Sequence, residues 1–514
     1  MRSREGDLTV RRLLTGIKNL DVVLGGGLPV GSLTVIAGSP GTGKTILAQQ
    51  ICFRNATAER KAVYYSTISE PPEKFINHLE VFDFFDRSAL VDKVEFINLG
   101  EILQDDEKGG LAAIMDEIVR KCVDEHPAVV VVDGAKALRE FSAGDRSLRT
   151  TIYQLASRIS HTDTTLLFLG EYGSDEIASA PVFSLADGIL ELAYESHQPM
   201  DRRWLRVRKL RSSKHLSGQH PIYISEAGIS LFIRAETMDA SGQEDLEAAG
   251  RMSTGVAGLD ELTRGGLPKG GSTLILGPSG CGKTALALRF IVHGLEENER
   301  CLYVSFQETP NQLIRRAASF GWDLRPHIAS GRLRIYHVAE GLLDLDIVAS
   351  VVRDELVKAP LARMVIDSLA EMVVAARESE RFPAYARTLL GELRSAGTSV
   401  LTTSETSSLG PTTDVLGGLS FLYHNVVLLR YFEQKSEMGR AVAILKMRNS
   451  DHEKGLWTFA ITNRGFEVQS KVESVTGLLG WSALRSLEVE SKDDRGRSPA
   501  RRRSDPKLGS IPGE

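Results

Sequence analysis

Short apolar runs alternate along the chain with segments of helical composition. The runs SLTVIA at 32–37 and STLILG at 272–277 each lead to a glycine, as buried strands do before a loop. The segments that follow them, KTILAQQIC and KTALALRFI, have the composition and spacing of helices. Further strands are predicted at AVYYST, AVVVVD and TLLFLG, and then at CLYVSF, RMVIDS, SVLTTS and NVVLLRYF. The alternation predicts an α/β fold with a mainly parallel sheet covered by helices.

An internal repeat is the strongest pattern in the chain. Residues 15–45 and 254–284 align without a gap and share Thr-Gly, Leu-Asp, Gly-Gly-Leu-Pro and Gly-Lys-Thr in register. The correspondence continues to KLRSSKH at 209–215, which matches KMRNSDH at 446–452. A repeat of this length indicates two homologous domains in tandem.

The repeat and the local composition divide the chain into five parts. We predict a short N-terminal extension (1–10), a first domain (11–236), a linker (237–250), a second domain (251–470) and a tail (471–514). The linker is polar and acidic, and the tail is rich in charge, Ser, Pro and Gly without an apolar period, which predicts disorder. The run of three arginines in this basic tail is either an electrostatic arm or, as is usual for charge runs, part of a solvated segment.

Composition narrows the class of protein. Of 514 residues, 62 are basic and 67 acidic, a net charge of -5, so the strong basic bias of a chain that binds nucleic acid through phosphates is missing. Four cysteines without CxxC spacing do not indicate a disulfide framework or a zinc ribbon. No apolar run approaches the ~18 residues of a membrane span, and the N-terminus lacks the apolar core of a signal peptide. We therefore expect a cytoplasmic protein without a membrane partner.

Each domain carries one G-x-x-x-x-G-K-T motif between a predicted strand and a predicted helix. Glycines let successive backbone N–H groups surround phosphates, and the helix N-terminus adds partial positive charge. The lysine is expected to reach the terminal phosphates of a nucleotide such as ATP, and the threonine to bind Mg²⁺. A glycine turn that binds nothing is the alternative, which two copies in register disfavour. The predicted nucleotide-binding residues are Gly38, Ser39, Pro40, Gly41, Thr42, Gly43, Lys44 and Thr45, with Gly277, Pro278, Ser279, Gly280, Cys281, Gly282, Lys283 and Thr284.

Acidic residues follow other strands of each domain. Asp133 ends VVVVD and Asp367 ends MVID, where an α/β sheet binds its ligands, so both are predicted to hold the metal with Thr45 and Thr284. A surface Asp that caps the next helix is the alternative. Glu70 and Glu308 lie at corresponding places and are candidates for the catalytic base, although each could instead be a solvated acid.

Basic residues recur in register near the end of each domain. Lys209 and Arg211 share one face of a predicted strand, as do Lys446 and Arg448, because side chains alternate along a strand. Such a pair suits neutralisation of phosphate charge, and a salt-bridged surface strand is the alternative. We place His215 and His452, which recur beside these cations, among the nucleotide-contacting residues.

Taken together, the tandem repeat, GGLP-x-G before each phosphate loop, FQETPNQLIRRAASFGWDL (306–324), VVLLRYFE (426–433) and KMRNSDH resemble the KaiC family over roughly 11–470. The resemblance implies two RecA-like P-loop NTPase domains and a homo-hexameric double ring with ATP between subunits. It also implies that the four cations reach the neighbour's nucleotide, that hydrolysis is slow, and that regulatory partner proteins such as KaiB-like proteins bind. In some members a Ser/Thr pair in the second domain is autophosphorylated.

The sequence departs from the family pattern at the catalytic positions. Two adjacent glutamates usually follow the second strand, and the first acts as the base, but here Ser69 and Gln307 occupy that place. The serine after the metal-binding aspartate is replaced by Gly134 in the first domain and retained as Ser368 in the second. Slow turnover is therefore expected, or an ATP-assembled scaffold without turnover.

The phosphorylation position is also incomplete. Ser420 is the candidate, but Phe421 follows it where the family has threonine, so weak single-site modification at most is expected. A RecA-type DNA motor is a further alternative. It would need a basic loop after the aspartate strands, and the segments there carry mixed charge.

Overall fold

The computed structural model describes residues 10–66, 72–100, 110–134, 145–196, 201–238, 250–339, 343–376, 381–406, 419–434 and 437–472. Glu70 lies outside the described residues, as do most of the predicted N-terminal extension and linker, and the predicted tail from 473 onward.

The first domain consists of two sets of elements. Its strands are β1 (Arg12–Leu13), β2 (Leu28–Pro29), β3 (Leu33–Ala37), β4 (Ala62–Ser66), β5 (Val94–Asn98), β6 (Val129–Asp133), β7 (Thr165–Gly170), β8 (Gly188–Glu195), β9 (Arg202–Leu210), β10 (His220–Ser225) and β11 (Gly228–Leu231). Its helices are α1 (Leu20–Val23), α2 (Lys44–Asn55), α3 (Pro72–Leu79), α4 (Ala89–Asp92), α5 (Gly110–Asp124), α6 (Asp145–Ile159), α7 (Ser174–Ser179) and α8 (Pro181–Leu185), and a 3-10 turn follows at Ala235–Thr237.

The second domain repeats this series. Its strands are β12 (Arg251–Met252), β13 (Leu267–Pro268), β14 (Ser272–Gly277), β15 (Cys301–Ser305), β16 (Leu333–His337), β17 (Arg363–Asp367), β18 (Ser399–Glu405), β19 (Asn425–Gln434), β20 (Glu437–Met447), β21 (Trp457–Thr462) and β22 (Gly465–Lys471). Its helices are α9 (Ala257–Leu262), α10 (Lys283–Glu296), α11 (Pro310–Ser319), α12 (Arg325–Ala329), α13 (Leu345–Lys358), α14 (Leu369–Ala376) and α15 (Arg381–Ser395), with a 3-10 turn at Leu419–Leu422.

The two main sheets have the same topology. Within the described residues, the first runs in the order β11-β10-β9-β8-β3-β7-β6-β4-β5, and the second in the order β22-β21-β20-β19-β14-β18-β17-β15-β16. The strands from β8 to β5, and from β19 to β16, are parallel. The remaining three strands of each sheet extend it antiparallel. The α/β fold class and the mainly parallel sheets are thus confirmed.

The core explains why the parallel strands read as unbroken apolar runs. Val129 and Val131 of β6 belong to one hydrophobic cluster of the first domain, whereas Val130 and Val132 belong to another. Successive side chains of a strand point to opposite faces, so both faces of the sheet are covered. The second domain is built in the same way, with two clusters of its own.

The end of the first domain is anchored on the second. Ala235 is fully buried within a hydrophobic cluster of the second domain, and its N–H donates to Asp346 Oδ1 at 3.1 Å. Arg381 contacts both Asp346 and Glu236, each at 2.6 Å. Two elements on either side of the linker are therefore joined by a partly buried ion cluster.

A cavity of about 460 Å³ lies beside this ion cluster. Both domains line it, with Arg202, Trp204 and Tyr223 on one side and Asp344, Asp346 and Arg381 on the other. In the part of the chain that the structure describes, no helix is both long and apolar enough to cross a bilayer.

Candidate nucleotide-binding sites

Each phosphate loop joins a central strand to a long helix. The first lies between β3 and α2, and the second between β14 and α10. Gly43 and Gly282 precede these helices with φ of 101° and 112°, a backbone conformation that L side chains rarely adopt. A Cβ at Gly282 would lie 2.6 Å from Ile461 Cδ1, so the sheet also excludes a side chain there. The loop sequence is thus required by its backbone path, and its N–H groups lie at a helix N-terminus suited to anions.

The lysine of each loop lies against its own loop. Lys44 Nζ donates to the carbonyl oxygens of Gly38 and Ser39 at 2.8 and 2.9 Å. Lys283 Nζ makes the same contacts with the carbonyls of Gly277 and Pro278, both at 2.9 Å. Burial lowers the pKa of Lys44, and the carboxylate of Glu171 opposes that shift. Glu171 directly follows β7, and sequence analysis did not single it out.

The predicted metal ligands are adjacent in both domains. Thr45 Oγ1 donates to Asp133 Oδ2 at 3.1 Å, and Thr284 Oγ1 donates to Asp367 Oδ2 at 3.0 Å. Burial raises the pKa of Asp133, against the hydrogen bonds that it accepts. One hydroxyl and one carboxylate are the hard oxygen ligands that Mg²⁺ takes together with nucleotide phosphates.

Sequence analysis missed a tyrosine at each of these sites. The hydroxyl of Tyr64 donates to Asp133 Oδ2 at 2.7 Å, and that of Tyr303 to Asp367 Oδ2 at 2.8 Å. Burial and the neighbouring carboxylate raise the pKa of both phenols well above the usual value, so they remain donors. A signal was present, because each is the third residue of the matching strand, AVYYS and CLYVS.

The candidate base of the second domain is held in an ion pair. Arg316 contacts Glu308 Oε1 at 2.6 Å and donates from Nε to Oε2 at 3.0 Å. Arg316 lies on α11, which begins just after this residue. The base role of Glu308 stays a prediction, and Glu70 lies outside the described residues.

A different carboxylate lies beside the second phosphate loop. Glu371 Oε2 accepts from Ser368 Oγ at 2.5 Å, and Glu371 Oε1 accepts a short hydrogen bond from Gln307 Nε2. The three side chains join the residue that follows Asp367 to the residue at the expected base position. Sequence analysis did not identify Glu371.

The basic residues of the second domain lie far from their own phosphate loop. Arg448 donates from its backbone N to His424, whose own N donates to Ser272 at the start of β14. The phosphate loop follows the other end of that strand, at Gly277, roughly 17 Å away at ~3.3 Å per residue. Lys446 Nζ likewise points away from the loop, toward the carbonyl oxygens of Ser420 and Tyr423 at 2.9 and 2.8 Å.

The first domain has the same arrangement. Lys209 Nζ contacts the carbonyl of Ser184 at 3.4 Å, and Arg211 pairs with Asp187 at 3.2 Å. The pKa values of Lys209 and Lys446 are lowered, chiefly by burial and then by the adjacent arginine. In neither domain, therefore, does the structure bring the predicted cations to the loop of the same domain.

The two histidines also recur in the structure. His215 and His452 each have a buried Nδ1 without a hydrogen-bond partner in the described part of the chain. The structure places them near the same sheet edge as the cations, a few residues after β9 and β20.

A glycine-rich loop between strand and helix, with a threonine and a strand-terminal aspartate beside it, defines the P-loop class of nucleotide-binding domain, present here twice. The family model "ATPase: KaiC" matches residues 13–236 and 252–473, so the chain belongs to the KaiC ATPase family. It is 27% identical to the circadian clock oscillator protein KaiC of Parathermosynechococcus lividus, over 94% of this chain and 90% of the relative. It is 26% identical to the protein of that name from Synechococcus elongatus, over 95% and 94%.

Proposed function

We propose that this protein is a cytoplasmic ATPase that binds ATP with Mg²⁺ in both domains and assembles into a homo-hexameric ring. In that ring it acts as a nucleotide-dependent switch on regulatory partner proteins. The observation that carries the proposal is the pair of phosphate loops, each with its threonine and aspartate in hydrogen-bond contact. Thr45 with Asp133, and Thr284 with Asp367, would hold Mg²⁺, which neutralises phosphate charge during transfer.

The position of the cations supports assembly. Lys446 and Arg448 lie at the sheet edge opposite to their own phosphate loop, and Lys209 and Arg211 do the same. Cations are needed near the terminal phosphates for transfer. A second copy of the chain can supply them if each ATP lies between two subunits, and binding of ATP then stabilises the assembly by mass action.

Measuring the mass of the native assembly with and without ATP–Mg²⁺ tests this proposal. Lys44→Ala removes a lysine that is buried in the loop and should lower the hexameric fraction. Lys61→Ala, at an exposed position just before β4, is the matched control and should not. A chain that is equally hexameric without nucleotide and in the Lys44→Ala variant contradicts the proposal.

A scaffold that binds ATP without turnover is the second candidate, because Ser69 and Gln307 replace the expected base. Steady-state ATP hydrolysis by the purified chain distinguishes the two candidates. A rate no higher than that of the Asp133→Asn, Asp367→Asn double variant favours the scaffold.

Weak autophosphorylation in the second domain is part of the proposal. Ser420 lies in the 3-10 turn Leu419–Leu422, and its carbonyl accepts from Lys446 Nζ at 2.9 Å. The serine thus accompanies the cation that is proposed to reach a neighbour's ATP. Incubation with ATP–Mg²⁺ followed by phosphopeptide mapping should find slow modification at Ser420, and none in Ser420→Ala. Phosphate mainly in the first domain contradicts the assignment.

A further inference from the structure

Glu371 is a buried carboxylate whose partners are all neutral. It lies on α14 and is 7% exposed. Its two oxygens accept hydrogen bonds from Gln307 and Ser368, and in the described ranges no lysine, arginine or histidine forms an ion pair with it. Buried carboxylates are usually paired with a cation, because removing the charge from water is costly. An unpaired acid retained in a cleft is a candidate for a functional group.

The fold places this carboxylate at the phosphate-loop edge of the sheet. Ser305 of β15 pairs in register with Asp367 of β17, and the next N–H along, that of Phe306, donates to the Asp367 carbonyl at 3.0 Å. Gln307 follows Phe306, and Ser368 follows Asp367. Glu371 therefore bridges the two residues that flank the predicted metal ligand, which itself accepts from Thr284.

We infer that Glu371 is the proton acceptor for ATP hydrolysis in the second domain, in place of the glutamate expected at position 307. The inference rests on the proposed ATPase function. Glu308 is less suited, since it is held by Arg316 on α11 in a two-point ion pair. An amide at position 307 cannot accept the proton, but its N–H fixes the carboxylate that can.

The step balances with water as the nucleophile. The water oxygen forms a bond to the terminal phosphorus as the bond from phosphorus to the bridging oxygen breaks, and ADP leaves with that electron pair. The water proton passes to Glu371 and then to solvent. Each carboxylate oxygen has more than one lone pair, so Glu371 can accept this proton while it keeps its hydrogen bonds to Gln307 and Ser368. The side-chain oxygen of Gln307 can accept a hydrogen bond from the same water.

The first domain has no counterpart to this arrangement. Its sequence has Ser69 at the position of Gln307 and Ala137 at that of Glu371, both outside the described residues. A carboxylate moved from one segment to another is thus a property of the second domain alone. Turnover in the second domain should depend on it.

The test uses the full chain with Asp133→Asn, so that turnover reports the second domain. In this parent we expect Glu371→Gln to lower kcat by about 10² or more, the usual contribution of a general base, with ATP affinity unchanged. Adding Gln307→Glu to Glu371→Gln should restore kcat at least tenfold. Glu392→Gln is the control, because that carboxylate pairs with Arg353 on α13, away from the loop. The acid limb of the pH–rate profile should disappear in Glu371→Gln, which a purely structural role would not cause.

Each other outcome overturns the inference. Equal kcat in the parent and in Glu371→Gln removes the assignment and leaves the ATPase function standing. A loss in Glu308→Gln but not in Glu371→Gln gives the role to Glu308. A parent that binds ATP without turnover refutes the proposed hydrolysis in this domain, and the inference with it. If Glu371→Gln unfolds at a lower urea concentration than the parent, the comparison is made with the double variant, and failure of Gln307→Glu to restore kcat counts against the inference.

Discussion

The ion cluster between the domains should be a large contributor to stability, and Arg381→Ala tests it. Arg381 Nη2 donates to both oxygens of Asp346 at 2.7 and 2.6 Å, and its Nε donates to Glu236 at 2.6 Å. The Asp346 side chain is 1% exposed and that of Arg381 is 11% exposed. Truncation would leave Asp346 with the Ala235 N–H and with Asp344, whose charge is of the same sign.

The magnitude follows from burial. Removing one partner of a buried ion pair leaves an uncompensated charge and costs about 3 to 5 kcal/mol. Arg11→Ala is the matched control, since Arg11 and Asp163 are 63% and 55% exposed, and such pairs contribute about 0 to 1 kcal/mol. Burial also raises the pKa of Asp346 to about 6. Because protonation removes the uncompensated charge, Arg381→Ala should cost less at pH 5 than at pH 8.

Urea unfolding followed by circular dichroism measures both effects. The midpoint of the second domain should fall strongly in Arg381→Ala and little in Arg11→Ala. Adding Asp346→Ala to Arg381→Ala should cost less than the sum of the two single changes, since the pair interacts. A cost for Arg381→Ala below about 1 kcal/mol, or one that is equal at pH 5 and pH 8, would refute the reasoning.

Two further predictions follow. Tyr303→Phe removes the 2.8 Å hydrogen bond to Asp367 and should weaken Mg²⁺-dependent ATP binding several-fold in titration calorimetry, whereas an unchanged affinity would mean that Thr284 alone positions this carboxylate. Burial lowers the pKa of His220 to about 4. The unfolded chain therefore binds more protons between pH 6.5 and 4, and stability should fall by about 3 kcal/mol as pH falls through that window. His220→Gln should remove this part of the pH dependence of the urea midpoint, and an identical pH dependence in the variant would contradict the assignment.

The sequence by itself determined the repeat, the α/β class and the phosphate loops. These features are local, because a buried strand, a glycine turn and a helix are contiguous in the chain, and their residue types follow from backbone conformation and burial. Asp133 and Asp367 were predictable for the same reason, since each ends an apolar strand. The metal role of these aspartates and the base role of Glu308 remain predictions.

Only the tertiary structure decided which polar groups meet. Gln307 and Glu371 are 64 residues apart, and Arg381 and Glu236 are 145 residues apart, so no local period records either contact. A charged residue on a helix has the same sequence signature whether it faces solvent or a buried partner. The strand order fixes both the partner and the sheet edge, and thereby sets Lys446 and Arg448 apart from their own phosphate loop. Contacts of this kind depend on long-range packing, which residue composition and spacing do not specify.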